Sequence, residues 1–242
     1  IGVVGDMSNF EPDLKDLSAV VSEQFSKGSA FEKQVEKEYE VPAQTAPRVQ
    51  LISRETEQAH FHVGFPSIGR GDERRYVLSV LVTMLGGNSS SWMFNEIREK
   101  RGLAYYAYAA ADVYHDMGSL YALEGVTTTK IEEALKATLE QFARAKDGSD
   151  ITEAEVERAR EYVTGKLTLD LESSSTMANL LVRKQLLEEK LFSIEDIVEQ
   201  VRAVTVEDVR ALADEVIDMS KLNLAVIGPY EDAGRFEELL KK

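Results

Sequence analysis

The sequence has no cysteine, so disulfides and thiolate metal sites are excluded, and residence in the cytoplasm is the expectation. Histidine is scarce: His60, His62 and His115 are the only imidazoles that could serve a metal or act as a general base. Positive charge is also short, with 28 Lys and Arg against 43 Asp and Glu, a net charge of −15. That balance argues against nucleic acid, whose binding needs clustered cations to release counterions, and against docking on anionic lipid. No apolar run approaches the roughly 20 residues of a membrane helix. The longest, Val77–Leu85, is broken by Ser79 and Thr83. The amino end also lacks the charged, apolar and small-residue order of a signal peptide.

What remains is the composition of a globular protein, 43% apolar and 29% charged. The 242 residues suffice for one large domain or two small ones. Ile1-Gly2-Val3-Val4-Gly5-Asp6 reads as the end of a strand with no Met before it, which predicts a fragment with more protein upstream. Acids such as Glu153, Glu155, Glu157 and Glu161 fall on a solvated helix face.

Hydrophobic periodicity predicts a strand at Val3–Val4, then a helix over Leu14–Phe25. Strands are predicted at Val49–Ser53 and His60–Phe65, and a helix over Tyr76–Leu85 that is apolar around most of its circumference and therefore buried. Gly86-Gly87 stops that helix, and Asn88 with Ser89–Ser91 caps a short one, Trp92–Lys100, ended by Gly102. Leu103–Ala111 and Ser119–Val126 read as an antiparallel pair. The chain beyond Thr129 is almost wholly helical, with a capping box at Thr152…Glu155, a break at Glu172–Ser175, and helices opened by Ser193 and Thr205. Leu222–Ile227 is a last strand and Phe236–Leu240 a closing helix. The fold class that follows is α+β, an antiparallel or mixed sheet with helices packed on one face.

Three candidate chemistries can be weighed. His60 and His62 lie two apart on a strand and share a face, so with Glu55 or Glu57 they could present a metal site. Catalytic zinc needs three placed ligands, and no His-x-x-Glu-His or His-Glu-x-x-His string occurs, so the simpler reading is a pair of strand histidines. Leu85-Gly86-Gly87-Asn88-Ser89-Ser90-Ser91 lacks the lysine of a phosphate loop and follows a helix rather than a strand. The third is the run from Phe94 to Tyr106, where a charged helix turns through glycine into an aromatic strand. Such a corner can set a guanidinium beside a phenol, donors suited to a peptide carbonyl or carboxylate.

That same run, Leu85-Gly86-Gly87 through Ser90 and then Phe94-x-Glu96-Ile97-Arg98-Glu99-Lys100-Arg101-Gly102-Leu103-Ala104-Tyr105, resembles the C-terminal domain signature of M16 zinc peptidases, the insulinase and mitochondrial processing peptidase-like family. Val3-Val4-Gly5-Asp6, Leu171–Asn179, Thr205–Val209 and Leu224–Pro229 resemble further parts of that domain, so the likeness spans nearly the whole chain. Asn88 and Trp92-Met93 depart from the family pattern. The resemblance implies residues 1–242 as a single domain of the LuxS/MPP-like metallohydrolase type, without the preceding domain that holds zinc. It implies a peptide substrate, a chamber closed by two halves (a homodimer or a paired subunit), and substrate contact through Arg98 and Tyr105. Tyr106, next along the strand, is expected on the opposite face. The alternative is a non-catalytic M16-like structural or peptide-binding subunit.

Overall fold

The computed structural model describes residues 43–187 and 193–240, together with residue 19 and residues 21–23, which are helical. The predicted strand at Val3–Val4 and most of the predicted helix Leu14–Phe25 lie outside the described residues.

Among the described residues five strands form one mixed sheet in the order β1-β5-β2-β4-β3. They are β1 (Arg48–Ser53), β2 (Gln58–Ser67), β3 (Ala104–Val113), β4 (Gly118–Thr127) and β5 (Asn223–Gly228). β1 runs parallel to β5, and every other pairing is antiparallel. Period-two patterning dictates the faces: Ala59, Phe61, Val63 and Phe65 of β2 are buried, while His60 and His62 alternate to the other side. β2 sits at the centre between β5 and β4, and among the described residues β3 is an edge.

The buried face carries the helices: α1 (Arg75–Gly86), α2 (Ile131–Asp147), α3 (Glu153–Asp170), α4 (Ser174–Leu187), α5 (Ile194–Arg202), α6 (Val206–Val216) and α7 (Gly234–Leu239). α1 is buried at Val77, Leu78, Val80, Leu81, Met84 and Leu85, because it lies between β3 on one side and α3 and α6 on the other. This is the placement that its nearly continuous apolar surface predicts. The break predicted at Glu172–Ser175 falls at residues 171–173, between α3 and α4, and Ser174 and Ser175 already belong to α4. Among the described residues no helix is long and apolar enough to cross a membrane.

Helix starts follow their side chains. Ser193 and Thr205 each accept a hydrogen bond from the amide three residues on, and Asp196 and Asp208 return it, so both boxes close. At Thr152 only half the predicted box forms. The Thr152 hydroxyl accepts from the Glu155 amide, but the Glu155 carboxylate turns away to Trp92 Nε1 at 3.3 Å and Arg158 at 2.7 Å. A competing indole donor explains the difference.

Gly86 does more than stop α1. Neither it nor Gly87 takes a left-handed conformation, but a Cβ on Gly86 would stand 2.0 Å from the Ala109 amide nitrogen. The helix end thus rests directly on β3. Gly86→Ala should cost about 1–3 kcal/mol through overpacking, read as a lower urea midpoint at unchanged slope. A midpoint equal to wild type would show that the contact between α1 and β3 yields freely.

Candidate functional site at the helix–glycine–strand corner

The short helix after α1 begins as predicted. Ser91 Oγ accepts from the Phe94 amide, and Asn88 Oδ1 accepts from the Ser90 amide at 2.7 Å. These local bonds use the polar atoms that a phosphate-loop reading would need. Trp92 and Met93, where the sequence departs from the family pattern, are 5% and 0% exposed. They anchor the helix to the core, with Arg144 stacked 4.0 Å over the Trp92 ring.

From Phe94 to Lys100 the helix widens into a π-helix, a form that clusters at functional sites and that periodicity alone does not foretell. It ends at Gly102, whose φ of 58° lies in the left-handed region. The Gly102 amide donates to the Arg98 carbonyl at 3.2 Å and the Leu103 amide to the Ile97 carbonyl at 2.9 Å. The chain therefore reverses sharply into β3, and buried Ile97 and Leu103 pin the corner from inside.

Charges on this helix are divided. Glu96 bonds Lys100 at 2.8 Å and Arg101 at 3.1 Å, and Arg101 reaches Glu140 of α2 at 2.7 Å. The Lys100 ammonium, with help from Arg101, holds the Glu96 carboxyl below its ordinary range. Arg98 stands apart from that network. Its guanidinium lies 4.8 Å over the Phe94 ring, approaches Glu99 only to 3.9 Å, and its side chain is 43% exposed. Tyr105, three residues past Gly102, is 74% exposed.

Tyr105 owes its exposure to a β-bulge. Ala104 pairs with Val126 and Tyr106 with Gly125, so Tyr105 is an extra residue opposite no partner. Ala104 and Ala107 both turn to the core, and Tyr105 and Tyr106 between them are both on the outer side. This corrects the expectation that Tyr106 points to the opposite face, which simple alternation would require. The bulge resets the period.

Tyr106 is also tied to one of the histidines. Its Oη lies 2.8 Å from His60 Nδ1. His62 instead stacks on Tyr121, with centroids 5.2 Å apart. Burial pushes the His62 imidazole pKa down, against the opposing charge of Asp112. Burial pushes the Tyr106 phenol up, reinforced by Tyr108 and Glu124. Glu55 and Glu57 are exposed on the turn before β2. Among the described residues no group of three or more His, Cys, Asp or Glu could hold a metal ion, and Nδ1 of His60 is already engaged by Tyr106. The described donor set does not fit zinc.

A profile described as Peptidase M16 inactive domain matches residues 4–163. An uncharacterised zinc protease of Mycobacterium bovis is 42% identical over 188 residues, which are 76% of this chain and 42% of that protein. An uncharacterised zinc protease of Streptomyces coelicolor is 36% identical over 187 residues, 77% of this chain and 40% of that protein. The chain thus spans less than half the length of the curated relatives it matches. A protease from Helicobacter pylori superposes with a TM-score of 0.80 at 21% identity, covering 90% of this chain and 53% of that one, and so shares the fold. A mixed sheet with helices on one face, the Phe94–Tyr105 corner and the profile match agree: the chain belongs to the M16 peptidase family, as a C-terminal domain of the type described as inactive.

Proposed function

We propose that residues 1–242 form the substrate-contacting, chamber-forming C-terminal domain of a zinc metalloendopeptidase, inactive alone and completed by a preceding domain that holds zinc. The carrying observation is the corner itself. It leaves one cation outside the local salt-bridge network and one phenol exposed, on a backbone fixed by Gly102 and a bulge. Arg98 and Tyr105 are then the donors that orient a peptide carbonyl and steady the negative charge it gathers as it becomes tetrahedral. Zinc, when bound by the preceding domain, supplies the Lewis acidity that this chain does not.

Association with a second half, a homodimer or a paired subunit, is supported by the outlying helices. In α3 only Val156 and Ala159 are buried, in α4 only Lys184, and Leu169 and Leu186 are 67% and 75% exposed. Apolar side chains left in water on two neighbouring helices fit a surface that a partner covers.

Metal removal tests the division of labour. The 242-residue chain should bind no stoichiometric zinc, hydrolyse no peptide, and keep its thermal midpoint in chelator. The longer protein, carrying a His-x-x-Glu-His helix upstream, should lose turnover in chelator and regain it with zinc. Zinc-dependent hydrolysis by the 242-residue chain would overturn the reading, and a longer protein without zinc or turnover would make it a non-catalytic subunit.

A further inference from the structure

The outer face of the sheet carries one side chain that spans three strands. Tyr106 starts on the edge strand β3, its ring crosses β4, and its hydroxyl meets His60 on β2. The two rings are inclined by only 22°, with centroids 6.1 Å apart and their rims joined by the 2.8 Å bond. They lie end to end, not face to face. Gly125, in register with both, makes this possible: a Cβ there would stand 2.5 Å from Cε1 and 2.9 Å from Cζ of Tyr106. His60 is a firm anchor, because its neighbours Ala59 and Phe61 are 0% and 1% exposed on the central strand.

Tyr105 precedes Tyr106 directly and is the unpaired residue of the bulge. A bulge on an edge strand has lost part of its ladder, so the direction of its side chain depends on what holds the residues beside it. On one side that is buried Ala104, and on the other it is Tyr106. We infer that His60, Tyr106 and Gly125 form a positioning tie that fixes the bulge and aims the Tyr105 phenol at substrate. This rests on the reading of Tyr105 as a substrate contact. It gives His60 a role as the hydrogen-bond partner of a tyrosine, and it explains why aromatic residues stand in succession at 105 and 106.

Among the described residues the hydrogen-bond partner of the Tyr106 hydroxyl is His60. The outer-face rows on either side carry Gln50, His62 and Tyr108 toward one end and Gln58 and Thr127 toward the other. None is a carboxylate, lysine or arginine. Tyr106→Phe therefore removes one oxygen and one bond while keeping the ring over Gly125.

The test uses the full-length protein, a quenched fluorescent peptide and tyrosine-labelled NMR samples. Tyr106→Phe should lower kcat/KM roughly tenfold, since misplacing a reacting group by an ångström costs up to about a hundredfold. In the Tyr105→Phe background the same change should have less than about a twofold effect, because a positioning residue has nothing left to aim. Tyr105 ring resonances should move in Tyr106→Phe and in Gly125→Ala. Equal losses in both backgrounds, or unmoved Tyr105 resonances, would overturn the tie. Wild-type turnover in Tyr105→Phe would instead defeat the substrate role, leaving the NMR comparison to judge the tie alone.

Discussion

Arg98→Ala should lower peptide turnover by the full-length protein about 10²–10³-fold, the loss seen when one donor to a developing oxyanion is removed. Tyr105→Phe should act in the same direction. The larger effect belongs to Arg98 because a guanidinium offers several donors in a fixed fork, where a phenol offers one. Neither change should unfold the protein. Arg98 has no short ion pair to lose, and Tyr105 is mostly in solvent. Bound zinc should stay at wild-type stoichiometry in both variants, and the fall should lie in kcat as well as kcat/KM if the donors act on the transition state. Full turnover in both variants would remove the function assigned to this corner. A fall confined to KM would reduce it to uniform substrate binding.

Glu124→Gln should make the protein more stable above neutral pH and remove much of its dependence on pH. Glu124 is 0% exposed, in register with Ala107 on β3 and Phe61 on β2, both core-facing. The Thr138 hydroxyl of α2 donates to its Oε1, while Oε2 has no partner among the described residues. Burial pushes this carboxyl up to about 8, with the Thr138 bond opposing, from an ordinary value of 4.5. The folded state therefore holds its proton to higher pH than the unfolded state does. Its contribution is complete below about pH 4.5, declines as pH rises through the window to about 8, and is flat beyond. At about 1.4 kcal/mol per unit, the loss by pH 7 is on the order of 3 kcal/mol. The amide of Gln cannot ionise, so its urea midpoint should vary less from pH 5 to 8.5. At pH 5 it should sit slightly below wild type, because a buried NH2 without a partner costs about 1–3 kcal/mol. Parallel pH profiles for the two proteins would show that Glu124 is not the source of the dependence.

Much of this architecture was legible where one period rules. The run Ala59, Phe61, Val63, Phe65 alternates without fault, and β2 lies where the sequence predicts it. The apolar girth of Tyr76–Leu85 foretold a helix buried on all sides, and the resemblance around Arg98 and Tyr105 pointed to residues that the fold leaves exposed. Legibility ended where tertiary contacts overrode local pattern. Inserting one residue at Tyr105 turns Tyr106 outward, and a bulge leaves no mark in an alternating aromatic string. The indole of Trp92 draws Glu155 out of its capping box across 63 residues of sequence. Glu124 was detectable in principle, as an acid in the core-facing series Leu120, Ala122, Glu124, Val126. Its neighbour Thr138 lies on another element, and only the fold joins them.

The proposed hold on the peptide is one guanidinium and one phenol at a glycine-capped corner. A crystal structure of the full-length protein with an uncleaved peptide bound, captured in a variant without turnover, is the test. Arg98 and Tyr105 Oη should lie within hydrogen-bond distance of a peptide backbone carbonyl, roughly 2.7–3.2 Å. A peptide seated on another surface, with both side chains left in solvent, would contradict it.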